Sequence, residues 1–236
     1  MFNKYYLIFN DLNSYEDFGL SIVKRPDIPN PTLKKTTKEV PGRDGLLYEV
    51  LGGYEDIVIT VEFNFIEKIN IKERFRQVKA WISGIQNDKL IFSDDLDWFY
   101  KVVDVKLNGN FETILRMKGS FKIDFTCRAF MYSIDGDEFE EIYNNYQIVN
   151  YYMESKPIIR IHGLGMIDIN INNKKFKVDV NEEVYIDSEL ELAYKTVDDP
   201  FNLIEGDFPV FEKGMNKINY SGNVFKFEIK PRWRCL

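Results

Sequence analysis

Histidine and cysteine are nearly absent from this chain of 236 residues: one His, His162, and two Cys, Cys127 and Cys235. The scarcity argues against a structural zinc site, which ordinarily takes four N/S ligands. It argues equally against nucleophilic catalysis, because no Ser-x-Gly elbow, paired Cys or helical His–Glu motif accompanies His162. The two cysteines lie far apart, and two free thiols of a reducing cytosol are expected rather than the alternative, a bridge. No apolar run approaches the ~20 residues of a membrane span, and Met1–Asn10 lacks the length and cleavage site of a signal segment. A basic excess is missing too. The net charge is −7 and is spread evenly, so the field that phosphate binding requires is absent and nucleic acid is not an expected partner.

What is abundant is aromatic and apolar material: 44% hydrophobic residues, with 19 Phe and 14 Tyr. That fills a sizeable core, and the length suits two domains of ~100–150 residues each. The dominant period is two. Ile57, Ile59, Val61, Phe63 and Phe65 alternate with polar positions, as do Phe121, Ile123, Phe125 and Cys127. Val103–Leu107 and Phe111–Met117 repeat the pattern, with Asn108-Gly109-Asn110 expected to turn between them. One segment departs from it. Ile71, Phe75, Val78, Ile82 and Ile85 recur at helical spacing after Asn70, a candidate N-cap with Glu73 three residues on, so a helix is expected over 70–85.

From Ser133 to Asn150 the alternation lapses, and residues 136–150 read as a connection between domains at 1–135 and 151–236. Beyond it come short strands: Pro157–Ile161, Ile167–Ile171, Phe176–Val180, Val184–Ile186, Leu190–Tyr194, Lys217–Tyr220 and Val224–Lys230. Gly163-Leu164-Gly165 reads as a tight strand connection, since no helix follows to make it a phosphate loop. The expected fold class is mainly β: a barrel- or sandwich-like N-terminal domain with one helix, then a C-terminal β-sandwich.

Three segments of the first half, in order, resemble the distal tail proteins of long-tailed phages. They are Pro41-Gly42-Arg43-Asp44-Gly45 before a long strand, Leu90–Asp94 closing on Trp98-Phe99-Tyr100, and Gly119–Cys127. The second half is similar to the galectin-like domain of longer members at Lys156–Ile159 with Gly163–Gly165, at Ile186-Asp187, at Phe208-Pro209 with Gly214-Met215-Asn216, and at Ile229–Trp233. The resemblance implies a homohexameric ring formed by the first domain. The ring would lie between the tail-tube protein and the tail-tip or baseplate hub protein, with a receptor-binding protein as a further partner. It implies a virion tail tip assembled in the bacterial cytoplasm, with no enzyme activity and no cofactor. A ring needs head-to-tail contacts that close, and the Asn30–Val50 arm and the Val103–Met117 hairpin are where they are expected.

Candidate sites each carry a plain alternative. Arg43, Asp44 and Gly45 are a candidate ring interface, or a turn in which Gly45 takes a positive φ. Asp94, Asp95 and Asp97 read as a solvated turn rather than a metal or glycosidase site, and so does Asp135–Glu138. His162 reads as a strand-end residue. Tyr143, Tyr146, Tyr151 and Tyr152 read as packing at the domain junction. Tyr151 and Tyr152 also carry the alternative function, a carbohydrate-binding module attaching to the bacterial surface.

Overall fold

The computed structural model describes residues 4–42, 44–66, 70–114, 118–196, 199–201 and 204–236. The chain divides into two compact units, residues 1–131 and 132–235. The first holds β1 (Leu7–Phe9), β2 (Leu12–Asn13), β3 (Ser21–Ile22), β4 (Leu33–Lys38), β5 (Leu47–Tyr54), β6 (Ile57–Ile66), α1 (Ile71–Ile82), β7 (Lys89–Phe92), β8 (Asp95–Ile114) and β9, which starts at Lys118 and runs to Ser133. Its sheet runs β2-β1-β7-β8-β9-β6-β3, and β4 and β5 form a separate pair.

The alternation read in the sequence sets the core. β6 and β9 pair antiparallel from Ile57↔Cys127 to Ile66↔Lys118. Ile59, Val61, Phe63, Ile123, Phe125 and Cys127 are buried on the shared inner face, each apolar chain so buried contributing roughly 1.5–3 kcal/mol. Helix α1 lies on that face through Val78, Trp81 and Ile82, and the Phe75 ring meets Phe121 edge-on at 5.7 Å. Asn70 Oδ1 accepts from the Glu73 N–H, as a cap should.

The helix stops at Ile82 rather than 85, because Asn10 takes over its C-terminal end. Asn10 Nδ2 donates to the carbonyls of Trp81 (2.9 Å) and Gly84 (2.7 Å), and its Oδ1 accepts from the N–H groups of Gln86 and Asn87. Ile85 is left exposed. The expected turn at Asn108–Asn110 is also corrected: β8 continues to Ile114. Asn108 Nδ2 instead donates across the sheet to Asp124 Oδ1 of β9 at 3.0 Å, so the ladder persists where a turn would have ended it.

The second unit holds β10 (Glu140–Glu141), β11 (Tyr146–Asn150), β12 (Ile158–Ile171), β13 (Lys174–Asp187), β14 (Leu192–Thr196), β15 (Asp199–Phe201), β16 (Ile204–Gly206), β17 (Gly214–Lys230) and β18 (Arg234–Cys235). Residues 136–150 are therefore not a bare connection. Gly136 and Ile142 are buried, and β10 and β11 both pair with β17. The lapse in alternation reflects two short edge strands separated by a turn at Asn145, whose φ is +64°.

Several expected short strands are halves of long, bent ones. β12 runs through Gly163–Gly165, with its register to β17 shifting between His162 and Gly163 and again between Leu164 and Asp168. Bulges of this kind bend a strand. Ile159 and Ile161 before the bend, and Ile167, Ile169 and Ile171 after it, then share one core with Phe176, Val178, Val184, Phe211, Phe227 and Ile229. This is a β-sandwich made by folding three strands over. A Cβ on Gly163 would stand 2.6 Å from the Asn223 carbonyl oxygen, so the close approach at the bend demands glycine there.

Candidate assembly surface

β4 and β5 pair antiparallel from Leu33↔Tyr54 to Lys38↔Leu47 and join no other strand among the described residues. β-branched Thr36 and Thr37 favour extended backbone. Gly45 has φ +80°, as the turn reading requires; Asp44 is exposed, and Arg43 lies outside the described residues. The arm is almost wholly solvent-facing. Tyr48 is 65% exposed, Val50 57% and Leu51 63%, and Leu46 and Leu47 are exposed beside them. A lone two-stranded hairpin is marginal in water, and contiguous exposed apolar side chains mark an interaction surface.

A second unsatisfied feature lies at the arm's base. β3 reaches β6 only at Asn64 and Phe63, with the Val23 N–H donating to the Glu62 carbonyl at 2.9 Å. By the two-residue repeat of a strand, the peptide groups of Thr60 and Val58 face the same way as those of Glu62. No strand pairs with them on that side among the described residues. This is an open sheet edge able to accept an extended segment.

The other candidates make contacts within their own units. Asp94 meets Arg25 at 3.4 Å. Burial, then the charges of Asp97 and Asp94, raises the Asp95 pKa. Among the described residues no cluster of three or more His, Cys, Asp or Glu is placed to hold a metal ion. Asp135–Asp137 is a short 3-10 turn, and Asp137 meets Lys230 at 3.3 Å.

His162 Nε2 lies 3.5 Å from Glu183 and 3.7 Å from Glu228. It borders a charged cluster that no spacing along the chain announces. Arg160 grips Glu228 through two 2.6 Å hydrogen bonds, and Lys226 adds a third at 2.9 Å. These donors, Arg160 foremost, hold the Glu228 carboxyl down at about 2. The Arg160 guanidinium also lies 4.4 Å from the centre of the Phe139 ring. Such saturation of Glu228 is that of a structural ion pair.

Of the four tyrosines, only Tyr146 packs on the second core, donating to Glu140 at 2.5 Å. Tyr143 and Tyr151 are 76% exposed, and Tyr152 is less so.

Residues 4–127 match the family described as a phage tail protein RIFT-related domain. This chain belongs to that family of phage tail proteins. No curated protein matches its sequence. Its fold is similar to the crystal structure of SPP1 Dit, described as a paradigm of the hub adsorption apparatus in phages infecting Gram-positive bacteria. The TM-score is 0.63 at 11% identity, with 95% of this chain and 97% of that one covered. Both units thus take part in the likeness, and the chain has the fold of a distal tail protein.

Proposed function

We propose that this chain is a structural adaptor of the tail's distal end: six copies close into a ring that joins the tail tube to the tip or baseplate hub, with the second unit offered to a receptor-binding protein. The observation that carries the ring is the β4–β5 arm. Its Tyr48, Val50 and Leu51 face solvent, while no strand pairs with the β6 edge over Ile57–Val61 among the described residues. A donor arm and an acceptor edge on one subunit are different surfaces, so the contact is head-to-tail, and such contacts close into rings when the rotation permits. The saturated ion pair at Glu228 fits a protein that holds position rather than one that reacts.

Gold-labelled antibody against this chain, applied to intact particles, tests the location. Label confined to the tail end away from the head supports the reading. Label along the tube, or none on intact or detergent-opened particles, sinks it.

A further inference from the structure

The base of the β4–β5 arm is anchored to the sheet. The Tyr54 ring meets Phe130 of β9 edge-on at 5.4 Å, and Asp56 meets Arg128 of β9 at 3.4 Å. At the same level the Glu55 N–H donates to the Thr32 carbonyl at 2.8 Å. Beyond that level Lys34, Lys35, Thr37 and Lys38 of β4 and Leu47–Leu51 of β5 are exposed.

Just above the anchor the ladder breaks. Leu33 pairs with Tyr54, and the next pair is Lys35 with Val50. One residue of β4, Lys34, therefore faces three of β5, Leu51, Gly52 and Gly53. Extra residues on one strand loosen the pairing and let the segments on either side take different directions. Gly52 and Gly53 both lie in the left-handed region, at φ +79° and +74°. A Cβ on either would meet nothing within 4 Å, whereas one on Gly163 or Gly206 would stand 2.6 or 2.5 Å from a carbonyl oxygen. Packing does not ask for glycine at 52 and 53; the backbone does. Glycine passes between positive and negative φ at little steric cost, and here two follow one another in open space.

The other leg of the arm offers no counter-restraint. Residues 26–31 lead into β4 through Pro26, Pro29 and Pro31 and belong to no strand. Proline lacks the N–H that a ladder uses and keeps the backbone extended, so this leg does not tie the arm to the sheet. We propose that Gly52–Gly53 is a hinge on which the distal arm swings as one piece about its anchored base. This deepens the ring reading above and, for its purpose, rests on it. The hinge lets one arm find the sheet edge of the next copy before the subunits reach their final geometry, and docking then orders the arm.

Single-molecule energy transfer on the full chain tests this at concentrations low enough to keep it monomeric. Cys235→Ser removes the accessible thiol, Cys127 being buried. Dyes at Thr37→Cys on the arm and Lys72→Cys on α1 read the swing, and dyes at Lys72→Cys and Lys122→Cys within the body serve as the rigid reference. We expect the arm pair to give a clearly broader distribution than the reference pair. Excess unlabelled chain should narrow it. Valine resists the left-handed region, so the double variant G52V/G53V should narrow and shift the free distribution while its thermal midpoint stays put. Docking must then return two residues to that region, so this variant should need at least about tenfold more unlabelled chain. An arm pair as narrow as the reference, or one that G52V/G53V leaves unchanged, overturns the hinge even where six-fold rings form. Assembly of G52V/G53V at the wild-type concentration overturns its role in docking. A broad free distribution that the valines narrow but unlabelled chain does not supports the hinge and sinks the ring, so the two readings fail separately.

Discussion

Charging the arm is the sharpest perturbation of the assembly surface. Tyr48, Val50 and Leu51 are each about three-fifths exposed and touch no core of their own unit. Fully burying a side chain of this size contributes roughly 1.5–3 kcal/mol, so covering the exposed part of all three contributes roughly 3–5 kcal/mol per arm. Replacing them together by lysine removes that term and adds ammonium groups that resist desolvation. At 1.4 kcal/mol per tenfold, each subunit contact should weaken roughly 100- to 3,000-fold. Sedimentation velocity over a concentration series reads the shift, with the wild-type assembly giving way to monomer. Because the arm contributes nothing to either core, the thermal midpoint of the monomer should stay put. A triply charged variant that assembles at wild-type concentration would refute the reasoning.

Three further outcomes follow from the geometry. Gly163→Ala places a Cβ 2.6 Å from the Asn223 carbonyl oxygen and 2.9 Å from Ile167 Cδ1, so it should cost about 1–3 kcal/mol in calorimetry; an unchanged midpoint would contradict the close approach. The Glu228 carboxyl is held down at about 2 from an ordinary 4.5. A depressed carboxylate stabilises fully above its unfolded value and loses that as pH falls through its folded one. Glu228→Gln should therefore be less stable than the parent by about 1–3 kcal/mol at neutral pH, the gap closing between pH 4.5 and about 2; a gap independent of pH would count against the ion pair. Burial pushes the Cys127 thiol up to about 12. A thiol reagent at neutral pH should thus modify Cys235 alone until denaturant opens the first core, and prompt reaction of both cysteines would show that core to be open.

Much of the first unit was legible because one face of each strand is buried. Ile57–Phe65 and Phe121–Cys127 alternate without a break, and the structure pairs them residue for residue. The N-cap at Asn70 was equally local. The C-terminal end of the helix was not, because the residue that fixes it, Asn10, lies far away in sequence and takes a positive φ to do so. Asn-Gly at 108–109 misled for the related reason that a turn signal yields when a neighbouring strand offers a partner. In the second unit, bulges at Gly163 and Leu164 broke the period of two, so β12, β13 and β17 read as pairs of short strands. Of the candidate sites, the arm was legible as a segment but its apolar exposure was not.

Native mass spectrometry of the purified chain, with negative-stain class averages of the same sample, asks directly whether the unpartnered arm belongs to a neighbour. The proposal requires particles of six copies, about six times 27.9 kDa, with six-fold rotational symmetry in projection. A chain that stays monomeric at every concentration and ionic strength, its arm still exposed to protease, would contradict it.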